Sequence, residues 1–311
     1  MTTVTAAEPV PAQPRRRRLT ERARAERRFA AILIAPAAIV MIAVTAYPIV
    51  TTIALSLQRA DLRFPGQNKW VGFNNYGHVL SATVWWQDVW HTVIITVIAV
   101  SFQFVLGMLL ALAMHRTLVA RGLLRSVALV PYAIVAVVAA YSWNYAWSLG
   151  NGGWIPHALG LTTDPLSHPA TTYVAIILTE IWKNTPFMAL LLLAGLALVP
   201  DELNEAAKVD GASTWQRFWR ITVPLMKPAI LVALLFRTLD EFRIFDVIFI
   251  FNQGAQGTES ISMLNYSTLL NRLNLGLGSA VSVLLFVCVA IIAFVFLKGF
   301  GAAAPGSEAE A

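Results

Sequence analysis

Residues 205–228 read EAAKVDGASTWQRFWRITVPLMKP, a short polar island between two long apolar segments. Upstream of it, Asp201 follows Pro200 and can N-cap a helix running to about Val209. Asp210-Gly211 supplies the stop, because glycine tolerates the left-handed conformation that ends many helices. Ser213 restarts the chain, and Gln216 three residues on completes the form of a capping box. In the second helix Trp215, Phe218 and Trp219 recur at spacings of three and four and so share one face, with Arg217 and Arg220 pointing elsewhere. Pro224 and Pro228 close the element and open the next apolar run. Such an element between two membrane segments points to docking, and hence to a subunit worked by a partner. Two other readings stand beside it. One is an amphipathic hairpin lying in the lipid headgroups. The other is a DNA-binding helix-turn-helix, which tethering between two spans disfavours.

Outward from the island the chain is apolar. It is 57% hydrophobic and 13% charged, against about 25% charged in soluble domains. Six apolar runs have spanning length, at roughly 29–57, 91–115, 125–148, 171–198, 227–251 and 277–299. The first is too long for a signal-peptide core and reads as a span. The expected organisation is an all-α membrane protein: a disordered basic cytoplasmic tail at 1–28, a transmembrane domain at 29–300 holding the cytoplasmic loop 199–227, and a disordered tail at 301–311. The formal charge of +6 does not imply nucleic acid, since eight arginines lie in the first 28 residues. Their role there is topology and attraction to anionic lipid. With the N-terminus inside, cytoplasmic segments hold 16 Lys and Arg and external loops hold 4. That excess sets both termini inside. Trp85, Trp86, Trp90, Trp143, Trp147 and Trp154 fall where an outer aromatic belt belongs. The single Cys288 allows no intrachain disulfide, and no Cys/His cluster has metal-ligand spacing.

Charges inside the spans are the second signal, because each costs about 2.5–3.5 kcal/mol at mid-bilayer and must face a cavity or a partner. In the fourth span Glu180, Lys183, Asn184 and Phe187 project on one face. In the fifth, Arg237, Asp240 and Glu241 share a face that Ile244 continues, and Arg243 and Asp246 lie on another. Self-neutralisation is one reading: Arg237 with Asp240 or Glu241, Arg243 with Asp246, Glu180 with Lys183 or Asn184. Recognition of a sugar is the other, since carboxylates and amides match hydroxyl pairs and an aromatic covers an apolar ring face. A paired acid or arginine still binds a hydroxyl, so the two are compatible. Arg243 and Asp246 are expected to be a structural pair. His78, His91, His115, His157 and His168, in loops or near span ends, read as solvated or interfacial.

The island also carries a family resemblance. Glu205, Ala206, Ala207, Asp210, Gly211, Ala212, Phe218, Ile221, Pro224 and Pro228 stand as EAA–x2–DGA–x5–F–x2–I–x2–P–x3–P. This resembles the coupling-loop signature of permease subunits of bacterial ABC importers. The flanks WKNTPFMALLLLAGLALVP (182–200) and FRIFDVIFIFNQGAQGTES (242–260) are similar to the carbohydrate-import branch, near the maltose-type permeases. Within it the chain looks most like the trehalose-importer permeases of mycobacteria. The resemblance spans roughly 30–300, with one departure: Gly254-Ala255-Gln256 stands where many relatives have Gly-Gly-Pro.

The resemblance implies a type I importer permease fold and a heterodimer with a second permease. It implies an ATPase dimer that carries ATP and Mg, an extracellular sugar-binding lipoprotein, and a disaccharide substrate, with trehalose the expected one. It implies no cofactor on this chain. Glu205, Ala206, Ala207, Asp210, Gly211, Ala212, Trp215 and Phe218 would couple to the ATPase. Glu180, Lys183, Asn184, Phe187, Arg237, Asp240, Glu241 and Ile244 map to cavity positions through the WKNTPF and NQG anchors. The chain has no G-x-x-x-x-G-K-[ST] of its own, so it is not expected to be an enzyme by itself. The competing class is an ion- or proton-coupled secondary transporter in which Glu180, Asp240 and Glu241 carry protons; an inverted repeat would favour it, and none is visible. A membrane scaffold without transport would need no charge inside the spans.

Overall fold

The computed structural model describes residues 21–116 and 121–299. Its elements are helices and one two-stranded antiparallel ribbon: α1 (Glu21–Ser56), β1 (Gln58–Arg59), β2 (Lys69–Trp70), α2 (Asn74–Ser81), α3 (Thr83–Arg116), α4 (Arg121–Ala133), α5 (Ala136–Trp147), α6 (Trp154–Ala158), α7 (Pro169–Leu196), α8 (Asp201–Val209), α9 (Thr214–Arg217), α10 (Val223–Glu241), α11 (Asp246–Phe251), α12 (Ile261–Tyr266) and α13 (Leu275–Gly299). Residues 1–20 and 301–311 of the expected tails, and 117–120 between the second and third expected spans, lie outside the described residues. Residues 21–28 of the expected disordered tail are helical instead, as the Ala, Arg and Glu of ERARAERR favour.

The chain divides at Thr51/Thr52 into two units. The first holds the earlier part of α1, where Pro36 and Pro48 sit inside the helix and the Thr51 hydroxyl donates to the Tyr47 carbonyl at 2.9 Å.

In the second unit α3 packs along α7, and α10 packs against both. Residue size sets the closeness of α7 and α10: a Cβ on Gly195 would overlap the Ala229 side chain. Met108, Ala111, Met188, Ala189, Leu192 and Met226 fill the core around that crossing. A second core under α11 contains Ile95, Ala140, Trp147, Ile176, Val247 and Ile248. A third, against α13, contains Val79, Trp85, Ile261, Leu264 and Val281. Of the expected belt, Trp86, Trp90 and Trp154 are exposed, whereas Trp85 and Trp147 are core residues.

Among the described residues five helices are long and apolar enough to cross a membrane, and a bent pair makes six. The bent pair is the run expected at 125–148, with segments 126–133 and 136–147 meeting at 90°. Pro131 lies near the break and Val135 is extended (φ −55°, ψ 135°). The span expected at 227–251 is broken as well. Its helix ends at Glu241, the chain turns through 242–245, and α11 restarts at Asp246. Carbonyls freed at the end of α11 are met by the Asn144 amide, which donates to Ile250 and Phe251 at 3.4 and 3.3 Å. Non-helical backbone at such depth survives only where protein groups satisfy it.

Candidate functional site

The intramembrane charges converge on one cleft. Glu180, Lys183 and Asn184 recur on a face of α7, and that face meets the C-terminal end of α10. A cleft of about 170 Å³ is lined there by Glu180, Lys183, Asn184, Asp240, Glu241 and Ile244, six of the eight expected cavity residues. Arg237 and Phe187 are absent from its lining. Arg237 is 1% exposed and donates to Asp240 at 2.5 Å and to Glu241 at 2.8 Å, so both of its proposed partners are engaged at once. Asn184 donates to Glu180 at 2.5 Å. Phe187 stacks on Tyr132 with ring centroids 4.9 Å apart, and Lys183 Nζ lies 5.8 Å from the same ring.

The break after Glu241 changes the expected roles on the fifth span. Ile244 does not continue the helical face of Glu241; it reaches the cleft because the chain turns. The same turn brings Arg243, Phe245 and Asp246 to the cleft. Among the described residues no ion pair within 4.0 Å joins Arg243 to Asp246, so the expected structural pair is absent. Helical projection put these residues on a different face; a break in the helix makes projection meaningless beyond it.

Three participants escaped the sequence reading: Tyr132, Phe245 and Gln103. Gln103 is fully buried on α3, accepts from Arg237 Nε at 3.0 Å, and donates to Glu241 at 3.1 Å and to the Glu180 carbonyl at 3.2 Å. A signal for it existed. Asp88, Thr92, Thr96 and Gln103 are polar, recur at helical spacing in an apolar run, and are all buried.

The cytoplasmic island folds as two short helices about a glycine elbow. The N-cap of α8 is Pro200 rather than Asp201; Asp201 and Glu202 instead occupy the first turn, where they complement the helix dipole. Gly211 adopts φ +81°. Its amide donates to Lys208 at 3.2 Å, and that of Ala212 to Ala207 at 2.9 Å, a Schellman closure of α8. Ser213 and Gln216 form the expected capping box, at 2.8 and 3.2 Å. Trp215, Phe218 and Trp219 cluster as expected, with centroids 5.2–6.4 Å apart, and Trp215 is 70% exposed. Glu205, Ala206 and Asp210 are exposed on α8 and at its end. Arg217 reaches back across the elbow to the Asn204 carbonyl at 3.4 Å.

Pro224 stands in the first turn of α10, as expected for a residue that opens the next span, but the helix before it is not interrupted there. The helical path runs from Thr214 into α10 through a π-turn at Phe218–Thr222, where the Val223 amide donates to Phe218. The wider turn accommodates Pro224, which has no amide hydrogen to give and would crowd the carbonyl of an α-turn. The elbow is thereby continuous with the helix that carries Arg237, Asp240 and Glu241.

On the side opposite the elbow, the loop 252–260 is tightly tied. Gln253, Gly254, Gln256 and Gly257 all have positive φ. Asn252 donates to the Ala255 carbonyl and to Thr258, each at 2.9 Å. Tyr173 on α7 donates to the Gly257 carbonyl at 2.8 Å, and His91 Nδ1 on α3 lies 3.3 Å from the Glu259 carbonyl, so both residues tie the loop. Burial holds the Glu259 carboxyl above its ordinary range, against the Ser267 hydroxyl and the Arg272 charge.

Comparison with known proteins bears on this arrangement. The chain is 53% identical over 284 residues to the trehalose transport system permease protein SugA of Mycobacterium tuberculosis, covering 91% of this chain and 92% of that one. It is 39% identical over 278 residues to the trehalose/maltose transport system permease protein MalF of Thermococcus litoralis, covering 88% and 94%. In fold it is similar to a chain of a bacterial ABC transporter that imports the acidic polysaccharide alginate, with a TM-score of 0.74 at 21% identity, covering 88% of this chain and 96% of that one. Residues 79–302, which include the cleft, the elbow and the loop, match one family model. The chain therefore belongs to the family of binding-protein-dependent transport system inner membrane components, as a multi-pass membrane protein with the type I importer permease fold.

Proposed function

We propose that this chain is a transmembrane permease subunit of an ATP-driven sugar importer, and that the sugar is a disaccharide, trehalose. The observation that carries the reading is the 53% identity to a trehalose permease over 91% of the chain. The cleft supports it chemically. Its acids, amide and cations offer paired acceptors and donors for hydroxyls, and Phe245 at its wall supplies an aromatic face. At about 170 Å³ it is smaller than the roughly 300–1,000 Å³ of whole small-molecule sites, as half of a site shared with a second permease would be. An external binding protein delivers the sugar to the loops that include 252–260. Two ATPase subunits, which carry ATP and Mg, close beneath the elbow. Their motion passes through Glu205, Ala206, Ala207, Asp210, Gly211, Ala212, Trp215 and Phe218 into α10 and biases a bistable pair of states. This chain hydrolyses nothing.

The test is gentle-detergent purification of the chain from its native membrane with identification of every co-purifying protein. The reading predicts an ATPase, a second six-span subunit and a lipid-anchored binding protein. A chain that purifies alone and moves solute by itself would instead establish a secondary transporter using Glu180, Asp240 and Glu241.

A further inference from the structure

Gln103 makes three hydrogen bonds to residues around the cleft. Its Oε1 accepts from Arg237 Nε at 3.0 Å. The two hydrogens of Nε2 go to Glu241 Oε2 at 3.1 Å and to the Glu180 carbonyl at 3.2 Å. Glu241 Oε2 also takes Arg237 Nη2 at 2.8 Å. One carboxylate oxygen is thus doubly held by neighbours on α3 and α10. The other, Oε1, is buried with no partner among the described residues, in a residue of the cleft lining whose side chain is fully covered in this state. A buried acceptor left open in this way is costly unless something donates to it.

We propose that Gln103 is a positioning residue for transport: by tying Arg237 and Oε2 of Glu241 to α3, it leaves Oε1 as the acceptor for a substrate hydroxyl. This rests on the reading of the cleft as the sugar path. The residue type follows from the geometry. The site needs an acceptor toward Arg237 and a donor toward Glu241 on one planar group, at full burial, without adding charge. Glutamate would keep the acceptor and set a carboxylate against Glu241. Leucine would satisfy neither neighbour and release Glu241 to turn both oxygens onto Arg237.

The test uses the assembled importer in proteoliposomes with trehalose as the probe, measuring uptake KM and Vmax together with sugar-independent ATP hydrolysis. Gln103→Leu is expected to raise KM about tenfold, with Vmax and sugar-independent hydrolysis near wild type. Added to Glu241→Gln it is expected to worsen KM by less than about twofold, since both act through one oxygen. An unchanged KM, a full additive loss, or a joint fall of Vmax and sugar-independent hydrolysis overturns the positioning role. If Gln103→Leu does not assemble, Gln103→Glu decides: a similar rise in KM supports the role, and a wild-type KM or a second failure to assemble overturns it. Glu241→Gln with a wild-type KM would remove the cleft from the sugar path. Glu241→Gln impaired beside a normal Gln103→Leu would remove only the positioning role.

Discussion

The amide of Ala212 donates to the carbonyl of Ala207 at 2.9 Å, closing α8 across a glycine at φ +81°. That bond closes the turn from which the chain enters the helix that runs through Trp215 and the π-turn to Glu241. In the proposed importer, force applied to α8 would pass to the helix that brings Asp240 and Glu241 to the cleft.

Gly211→Ala should weaken the elbow by about 1 kcal/mol, the cost of a Cβ in a left-handed residue. Gly211→Pro should do more, because proline cannot reach φ +81° and loses the bond to Lys208. Both chains should insert and assemble. Uptake should fall for Pro and be partly retained for Ala, with Glu205→Ala also impaired. Normal uptake by Gly211→Pro and Glu205→Ala would end the lever role.

Arg237→Met removes the only cation within ion-pair distance of Glu241 among the described residues. Breaking a buried pair by removing one partner costs about 3–5 kcal/mol. Thermal unfolding in detergent should register that loss, and the double variant Arg237→Met/Glu241→Gln should recover part of it. A double variant no more stable than Arg237→Met would mean that Glu241 is not held by Arg237.

Glu180→Ala and Asp240→Ala should reduce uptake by about tenfold or more while leaving sugar binding by the external receptor unchanged. Uptake equal to wild type in both variants would take these acids out of the path.

Glu259 gives the loop 252–260 a pH dependence of definite sign. Burial raises its carboxyl above the ordinary value near 4.3. In the window just above that value the folded loop holds more protons than the unfolded chain, so stability falls as pH rises through it. Glu259→Gln should abolish this slope and slow amide exchange of the loop at neutral pH. Exchange that is unaffected by pH in wild type, or faster in the variant, would contradict it.

What was legible in the chain was local. Gly211, Ser213 and Gln216 announce their turn and cap through chemistry that acts within four residues, and the structure has both. Glu180, Lys183 and Asn184 were placed together correctly because α7 is unbroken there. The missed features depend on other elements. The turn at 242–245 is supported by Ser260, which donates to the Ile244 carbonyl at 2.9 Å from sixteen residues away. Gln103 meets Arg237, Glu241 and the Glu180 carbonyl only when α3 lies against α7 and α10. Pro224, read as a terminator, is absorbed by a π-turn that spacing alone does not announce.

The most direct test of the account is uptake of labelled trehalose into proteoliposomes holding this chain with its co-purifying subunits, with the binding protein outside and ATP at the ATPase face. The account predicts accumulation that requires both ATP and the binding protein and is lost with Gly211→Pro. Accumulation by this chain alone, driven by a proton gradient without ATP, would contradict it.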